Sequence, residues 1–309
     1  MSDNIFIATS SFGVHSSAPL DLINDKGYDT IINPLSRKLN SDELIQYASN
    51  SIGIIAGTEN YSKTILNQLH NLKTISRLGV GIDNIDLDYA NKKGIKLFTT
   101  STSPALAVSE LSLGLMIDLY RNLSNSNNKL KLGNWDKYMG RLLSGKILGI
   151  IGLGNIGKTF VKLVQGFNLD ILAFDEIKDN AFAEKNKVTY CDIESLLTKS
   201  DIVSLHLNLS DKTQNFLNEE RLNMMKSGSI LINTSRGEVV DEESLYKILK
   251  EEKIFGAGLD VFRNEPYSGN LLNLNNVIVT PHIGSYAREI RIKMELESIE
   301  NLIRGLKEI

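Results

Sequence analysis

The sequence predicts an α/β protein made of two units, each a parallel sheet covered by helices, with the second unit inserted into the first. Three observations carry this. Short apolar, β-rich runs alternate with helix-like segments along the whole chain. A strand, glycine turn, helix and strand occupy 147–175, in mid-chain rather than at its start. The length, 309 residues, suits about two domains.

The elements follow in order. Strands are expected at 5–9, 28–33, 52–56, 73–78 and 95–98, with helices at 20–26, 41–49, 63–69 and 87–93 between them. Gly27 and Gly94 close two of these helices. Residues 104–123 read as one long apolar helix with Pro104 in its first turn, where the missing N–H costs nothing. Its apolar residues cover more than one stripe, so it should be buried between units or subunits. The polar run Ser124–Asn128 is expected to break the helical pattern, and 129–146 to form an irregular arm containing Trp135. After the glycine turn come strands at 188–190, 202–205, 229–233, 256–261 and 277–280, with helices at 193–199 and 219–225. Asp241 can cap a further helix, and an amphipathic helix over 286–304 closes the chain. The domain boundaries implied are 101–284 for the inserted unit, and 1–100 plus 285–309 for the other.

Gly152, Gly154 and Gly157 form G-x-G-x-x-G between the strand Ile147–Ile151 and a helix. The first glycine permits a tight turn, the second lets a pyrophosphate approach the backbone, and the third lets helix pack on strand. The helix N-terminus presents free N–H groups to phosphates. Asp175 lies 18 residues beyond Gly157, where an acid accepts hydrogen bonds from an adenosine ribose. The same letters, G-L-G-N-I-G-K-T, also satisfy the P-loop pattern for nucleoside triphosphates, with Lys158 and Thr159 as its working residues. A tight turn holding no ligand is the third reading.

Composition narrows the class. Hydrophobic residues make up 42% and the net charge is −3, from 34 basic and 37 acidic residues, so no nucleic-acid surface is expected. The one cysteine, Cys191, leaves no intrachain disulfide and no cysteine-cluster metal site; no metal is expected. No stretch of 18 apolar residues spans a membrane, and the N-terminus lacks the basic and apolar regions of a secretory leader. A cytoplasmic location is the resulting expectation.

Reactive side chains gather after the later strands. Thr234-Ser235-Arg236-Gly237 follows one strand, Asp260 ends the next, Glu265 precedes Pro266, and His282 follows Pro281. In open α/β sheets ligands bind at the carboxyl ends of strands. A carboxylate such as Glu265, bonded to one imidazole nitrogen of His282, fixes the tautomer and leaves the other nitrogen to exchange a proton with a carbonyl oxygen. Arg236 offers a planar fork to a carboxylate.

With these residues in hand, the chain resembles the D-isomer-specific 2-hydroxyacid dehydrogenases, and among them the phosphoglycerate dehydrogenase-like branch. The matching segments are Ser76–Asp86, Val108–Leu111, Gly152–Gly157 with Asp175, Asn233–Gly237, Gly258–Phe262 running on to Glu265-Pro266, and Thr280–Gly284. Motifs so separated, in one order, leave Lys158 and Thr159 as ordinary helix residues. The resemblance implies a Rossmann dinucleotide-binding domain inserted in a flavodoxin-like α/β substrate domain, NAD as cofactor, and a homodimer. It implies Arg236, Glu265 and His282 as catalytic residues, and Asn155 and Ile156 at the pyrophosphate. Asp175 would meet the adenosine ribose, Thr234 the cofactor and Asp260 the nicotinamide amide. The substrate would be met by Arg77, Arg236 and the amides of Val80 and Gly81. The leading substrate pair is 3-phosphoglycerate and 3-phosphohydroxypyruvate, followed by glyoxylate, hydroxypyruvate or other small 2-oxoacids. An NAD(H)-sensing binding protein on the same fold is the alternative of another class.

Several positions depart from the family. Thr99–Pro104 replaces N-T-P-G-x-N, His206-Leu207-Asn208 replaces H-x-P, and Gly140–Leu143 replaces G-x-E-L. Gly57 stands where many relatives carry a second arginine, and the C-terminal regulatory extension of longer phosphoglycerate enzymes has no counterpart. These changes touch the substrate side chain rather than the reaction type.

Overall fold

The computed structural model describes residues 4–308. In chain order the main elements are β1 (Asn4–Ile7), α1 (Ala18–Asp25), β2 (Asp29–Ile32), α2 (Ser41–Ala48), β3 (Ser51–Ala56), α3 (Lys63–Gln68), β4 (Thr74–Arg77), α4 (Leu87–Lys92) and β5 (Lys96–Thr99). Then follow α5 (Ala105–Arg121), α6 (Leu123–Lys131), β6 (Ile147–Ile151), α7 (Asn155–Val164), β7 (Asp170–Phe174), α8 (Asn180–Lys185), β8 (Val188–Tyr190), α9 (Ile193–Lys199) and β9 (Ile202–Leu205). The chain ends with α10 (Glu219–Met224), β10 (Ile230–Asn233), α11 (Glu242–Lys250), β11 (Gly256–Leu259), β12 (Val277–Val279) and α12 (Arg288–Lys307).

Two compact units result, one running to Pro104 and resuming at Tyr286, the other spanning Ala105–Ser285. The first has a parallel five-stranded sheet of order β2-β1-β3-β4-β5, the flavodoxin-like order. Alternation along β1 sends Phe6 to one face and Ile5 and Ile7 to the other. Phe6 packs with Ile54, Leu66 and Ile75, while Ile5 and Ile7 pack with Ile55 and with Ile299 and Leu302 of α12. The last helix thus completes the first unit.

The second unit has a parallel seven-stranded sheet of order β12-β11-β10-β9-β6-β7-β8. Counted from β6, this is the doubly wound order 3-2-1-4-5-6 with one further strand, a Rossmann sheet. Its direction of growth reverses between β6 and β9. The strand partners put Phe174, Ile151, Leu205, Asn233, Leu259 and Val279 level in one row across the sheet. Leu148, Ile150, Ile230 and Ile232 line one face with α5 and α7, and Val203, Leu231 and Ala257 the other with α9 and α11.

α5 packs on α7, β10 and β11 within this unit, which accounts for its broad apolar surface. One expectation needs correction. Ser124–Asn128 does not break into coil; it belongs to α6, which buries none of its residues. Asn122 adopts the left-handed conformation at φ 53°, ending α5 and redirecting the chain. Asp118 then accepts the Ser124 N–H at 2.8 Å, so a carboxylate satisfies a donor at the start of the new helix. The irregular arm begins after α6 and carries Trp135, 78% exposed. Among the described residues no helix is long and apolar enough to cross a membrane.

Candidate active site

The level row explains why the candidate residues recur where they do. Asp175, Gly152, His206, Thr234, Asp260 and Thr280 each follow it by one residue. At roughly 4.8 Å per strand, β7 to β11 spans about 19 Å, so a ligand laid along the carboxyl edge would meet them in turn.

The glycine turn fits a dinucleotide. Gly152 has φ 95°, and a Cβ there would lie 2.5 Å from the His206 carbonyl oxygen, so β6 and the end of β9 can approach only at glycine. A Cβ at Gly157 would lie 2.2 Å from Gly152 O, which is the close helix–strand packing. A Cβ at Gly154 would meet nothing within 4 Å. Packing therefore does not require this glycine, whereas a phosphate approaching the N-terminus of α7 does. Asn155 and Ile156 open that helix. Asp175 accepts the N–H of Leu153 at 2.6 Å and of Ile177 at 2.8 Å, tying the end of β7 to the glycine turn. Lys158, essential to a P-loop, instead pairs with Asp179 at 2.5 Å, and Thr159 donates to Asn155 O within its own helix.

The His282–Glu265 pair expected from the sequence is formed. His282 Nδ1–H donates to Glu265 Oε2 at 2.9 Å and to Oε1 at 3.1 Å, so this pair engages Nδ1 and not Nε2. The Phe262 N–H donates to Glu265 Oε1 at 3.1 Å and steadies the carboxylate. His282 itself has φ 56°, an unusual backbone conformation for this residue type. Asp260 holds that turn. Its carboxylate accepts the Thr280 hydroxyl at 2.6 Å and the N–H groups of Ile283 and Gly284, each at 2.8 Å, and its carbonyl accepts the His282 N–H at 2.9 Å. Burial pushes the Asp260 carboxyl above its usual pKa range, against the pull of the Thr280 and backbone donors.

Arg236 is placed by the two ends of its motif, Asn233 and Gly237. Asn233 Oδ1 accepts the Ser235 N–H at 3.1 Å, and its Nδ2 donates to Arg236 O at 2.9 Å. An asparagine ending a strand before Thr-Ser-Arg-Gly is a recognisable turn signal of this kind. Gly237 then presses against the next loop: a Cβ there would lie 1.9 Å from Phe262 C. The Arg236 turn and the Phe262–Glu265 loop can touch only because position 237 has no side chain. Thr234 turns its hydroxyl to Ser112 Oγ of α5 at 2.9 Å, and that serine donates to Val108 O. Ser112 lies within the helix expected over 104–123, one residue beyond the matching segment Val108–Leu111, and is not among the candidate site residues.

Two further groups complete the inventory. The His206 ring stacks obliquely near Phe160 and meets Ser204 Oγ at 3.0 Å; burial lowers its pKa to about 4, so it is neutral near pH 7. In the first unit Arg77 ends β4 and is buried, and Val80 and Gly81 lie on the loop that follows, with Val80 exposed.

Comparison with known proteins agrees with this geometry. The family model for the NAD binding domain of D-isomer specific 2-hydroxyacid dehydrogenases matches residues 113–284. A hydroxypyruvate reductase of Thermotoga maritima is 36% identical over 96% of this chain and 98% of its own. A D-3-phosphoglycerate dehydrogenase of Methanocaldococcus jannaschii is 36% identical over 86% of this chain, which spans about half (52%) of that longer protein. The crystal structure of a D-lactate dehydrogenase of Aquifex aeolicus, complexed with NAD and lactic acid, superposes with a TM-score of 0.82 at 27% identity, covering 99% of this chain and 96% of that one. A Rossmann sheet with a dinucleotide turn, a second α/β unit, and a relative 36% identical over nearly its whole length lead to one conclusion: the chain belongs to the D-isomer specific 2-hydroxyacid dehydrogenase family and is an NAD-dependent oxidoreductase.

Proposed function

We propose that the chain interconverts a small 2-oxoacid and its D-2-hydroxyacid with His282 as proton donor and acceptor. The observation that carries this is the His282–Glu265 pair at 2.9 Å, which commits Nδ1 and frees Nε2. In reduction the doubly protonated ring gives its Nε2 proton to the C2 oxygen and is left neutral, with Nδ1–H still on Glu265; in oxidation Nε2 takes the proton from the alcohol, and Glu265 stabilises the imidazolium that forms. Arg236 holds the substrate carboxylate with its fork, and the backbone amides of Val80 and Gly81 share that anion. When bound, the nicotinamide supplies or accepts the hydride at C2. Gly152, Gly154, Asn155, Ile156 and Gly157 hold the pyrophosphate, Asp175 the adenosine ribose, and Thr234 and Asp260 the nicotinamide end.

Asp175 selects NAD over NADP. A 2′-phosphate about 4 Å from its carboxylate would be repelled by roughly 4 kcal/mol at an effective dielectric of 20, less if water enters. The arm after α6 supports a homodimer: Leu132, Trp135, Met139 and Leu142 are exposed along a short stretch, an apolar surface that a second copy would cover. The substrates to be separated are 3-phosphohydroxypyruvate, which the resemblance favours, hydroxypyruvate and glyoxylate. An NADH-oxidation screen over phosphorylated and unphosphorylated 2-oxoacids tests the reading. Turnover of at least one is expected; none on a broad panel would overturn it.

A further inference from the structure

In a sheet of order 2-1-3-4-5 the direction of growth reverses between β1 and β3, so the ligand crevice lies outside their carboxyl ends. There the first unit buries two groups of opposite charge, Glu59 and Arg77. Ala56 and Arg77 are partners across β3 and β4, and Gly57 is the next residue. Glu59 is 2% exposed and Arg77 9%. Glu59 Oε2 accepts the Gly57 N–H at 2.9 Å. It also occupies the space beside that glycine, since a Cβ at 57 would lie 2.8 Å from Oε2 and 3.0 Å from Thr9 Cγ2. The Arg77 guanidinium folds under the following turn. Its Nη1 donates to Leu78 O, and a Cβ at Gly79 would lie 2.8 Å from Nη1. Positive charge thus sits beneath the loop that carries Val80 and Gly81, with a carboxylate near it. Burial raises the Glu59 pKa, opposed by the Gly57 N–H and by the charges of Arg77 and, more weakly, Lys38.

An arginine under a loop of backbone amides attracts a phosphate dianion. The same arginine with a buried carboxylate nearby does so less, because the dianion is then repelled as well as attracted. We infer that Glu59 sets the charge selectivity of the substrate site: by offsetting Arg77 it admits 2-oxoacids whose far end is uncharged and rejects those ending in phosphate. The inference rests on the functional reading above and narrows its substrate to the hydroxypyruvate or glyoxylate class. Glu59 acts through Arg77 and is a positioning residue.

The test is kcat/KM with NADH for hydroxypyruvate and 3-phosphohydroxypyruvate, in the wild-type chain and in Glu59→Gln and Glu59→Asp. The wild type should favour the unphosphorylated acid. Glu59→Gln should raise the phosphorylated-to-unphosphorylated ratio by about tenfold or more, mainly through the KM of the phosphorylated acid, as expected when a nearby like charge is removed. Glu59→Asp, which keeps the charge, should hold the wild-type ratio. A purely structural role would lower both activities together and leave the ratio fixed in both variants, which overturns the inference; so does a wild-type preference for the phosphorylated acid. Wild-type turnover of neither acid, with turnover of another 2-oxoacid, overturns the inference alone. Turnover of no 2-oxoacid removes the functional reading and the inference with it.

Discussion

Gly237→Ala places a methyl group where two loops of the candidate site touch. Its Cβ would lie 1.9 Å from Phe262 C, 2.3 Å from Arg263 N and 2.4 Å from Phe262 Cα. An ordinary contact begins near 3.4 Å, so the Arg236 turn and the Phe262–Glu265 loop must part by 3.4 − 1.9 = 1.5 Å. Two of these neighbours are backbone atoms of Phe262, a buried residue stacked on Tyr267 with ring centroids 4.2 Å apart, so they yield little. The displacement passes along two bonds, from the Phe262 N–H to Glu265 and from Glu265 to His282. Overpacking of this kind costs about 1–3 kcal/mol of stability, and a misplacement of about 1 Å costs on the order of 10² in rate. Steady-state kinetics with NADH and an accepted 2-oxoacid, beside a thermal melt, should show kcat/KM down on the order of 10² and Tm lower by a few degrees. Unchanged kcat/KM with a folded variant would refute the coupling of Arg236 to the Glu265–His282 pair.

Other outcomes follow from the same structure. Gly154→Ala should melt like the wild type, since its Cβ meets nothing within 4 Å, yet bind NADH more weakly in a fluorescence titration; equal affinity would remove Gly154 from the pyrophosphate site. Asp175→Ala should narrow the gap between the KM values for NAD and NADP, and an unchanged ratio would place selectivity elsewhere. His206 has a folded pKa depressed from 6.5 to about 4, so its contribution is present above pH 6.5 and is lost as pH falls through 4. The loss is at most about 3 kcal/mol. Chemical denaturation across that window should show this slope in the wild type and a shallower one in His206→Gln.

Local signals in the sequence reach much of this picture. The parallel strands are legible because β6, β9 and β10 are short, apolar runs bounded by breakers, as doubly buried strands must be. The cofactor turn is legible because glycine is the only residue that its close approaches allow. Glu265 and His282 are visible as reactive types after strands, although their pairing depends on a loop that folds back across β11 and β12. Less is legible where contacts are long-range. Ser112 meets Thr234 across 122 positions of sequence, and nothing local marks it. The α6 helix hides because polar residues without a buried stripe give no period, and Asp118 supplies its start from the preceding helix. Glu59 reads as a loop acid until the sheet brings Arg77 to the neighbouring strand.

The proposed function depends on Nε2 of His282 moving the proton while Glu265 holds Nδ1. Single-turnover NADH oxidation by His282→Gln, with a 2-oxoacid that the wild type accepts, tests it most directly. The rate should fall on the order of 10²–10⁴, the usual size of general acid–base catalysis, while NADH still binds with wild-type affinity. A wild-type rate in that variant would contradict the account.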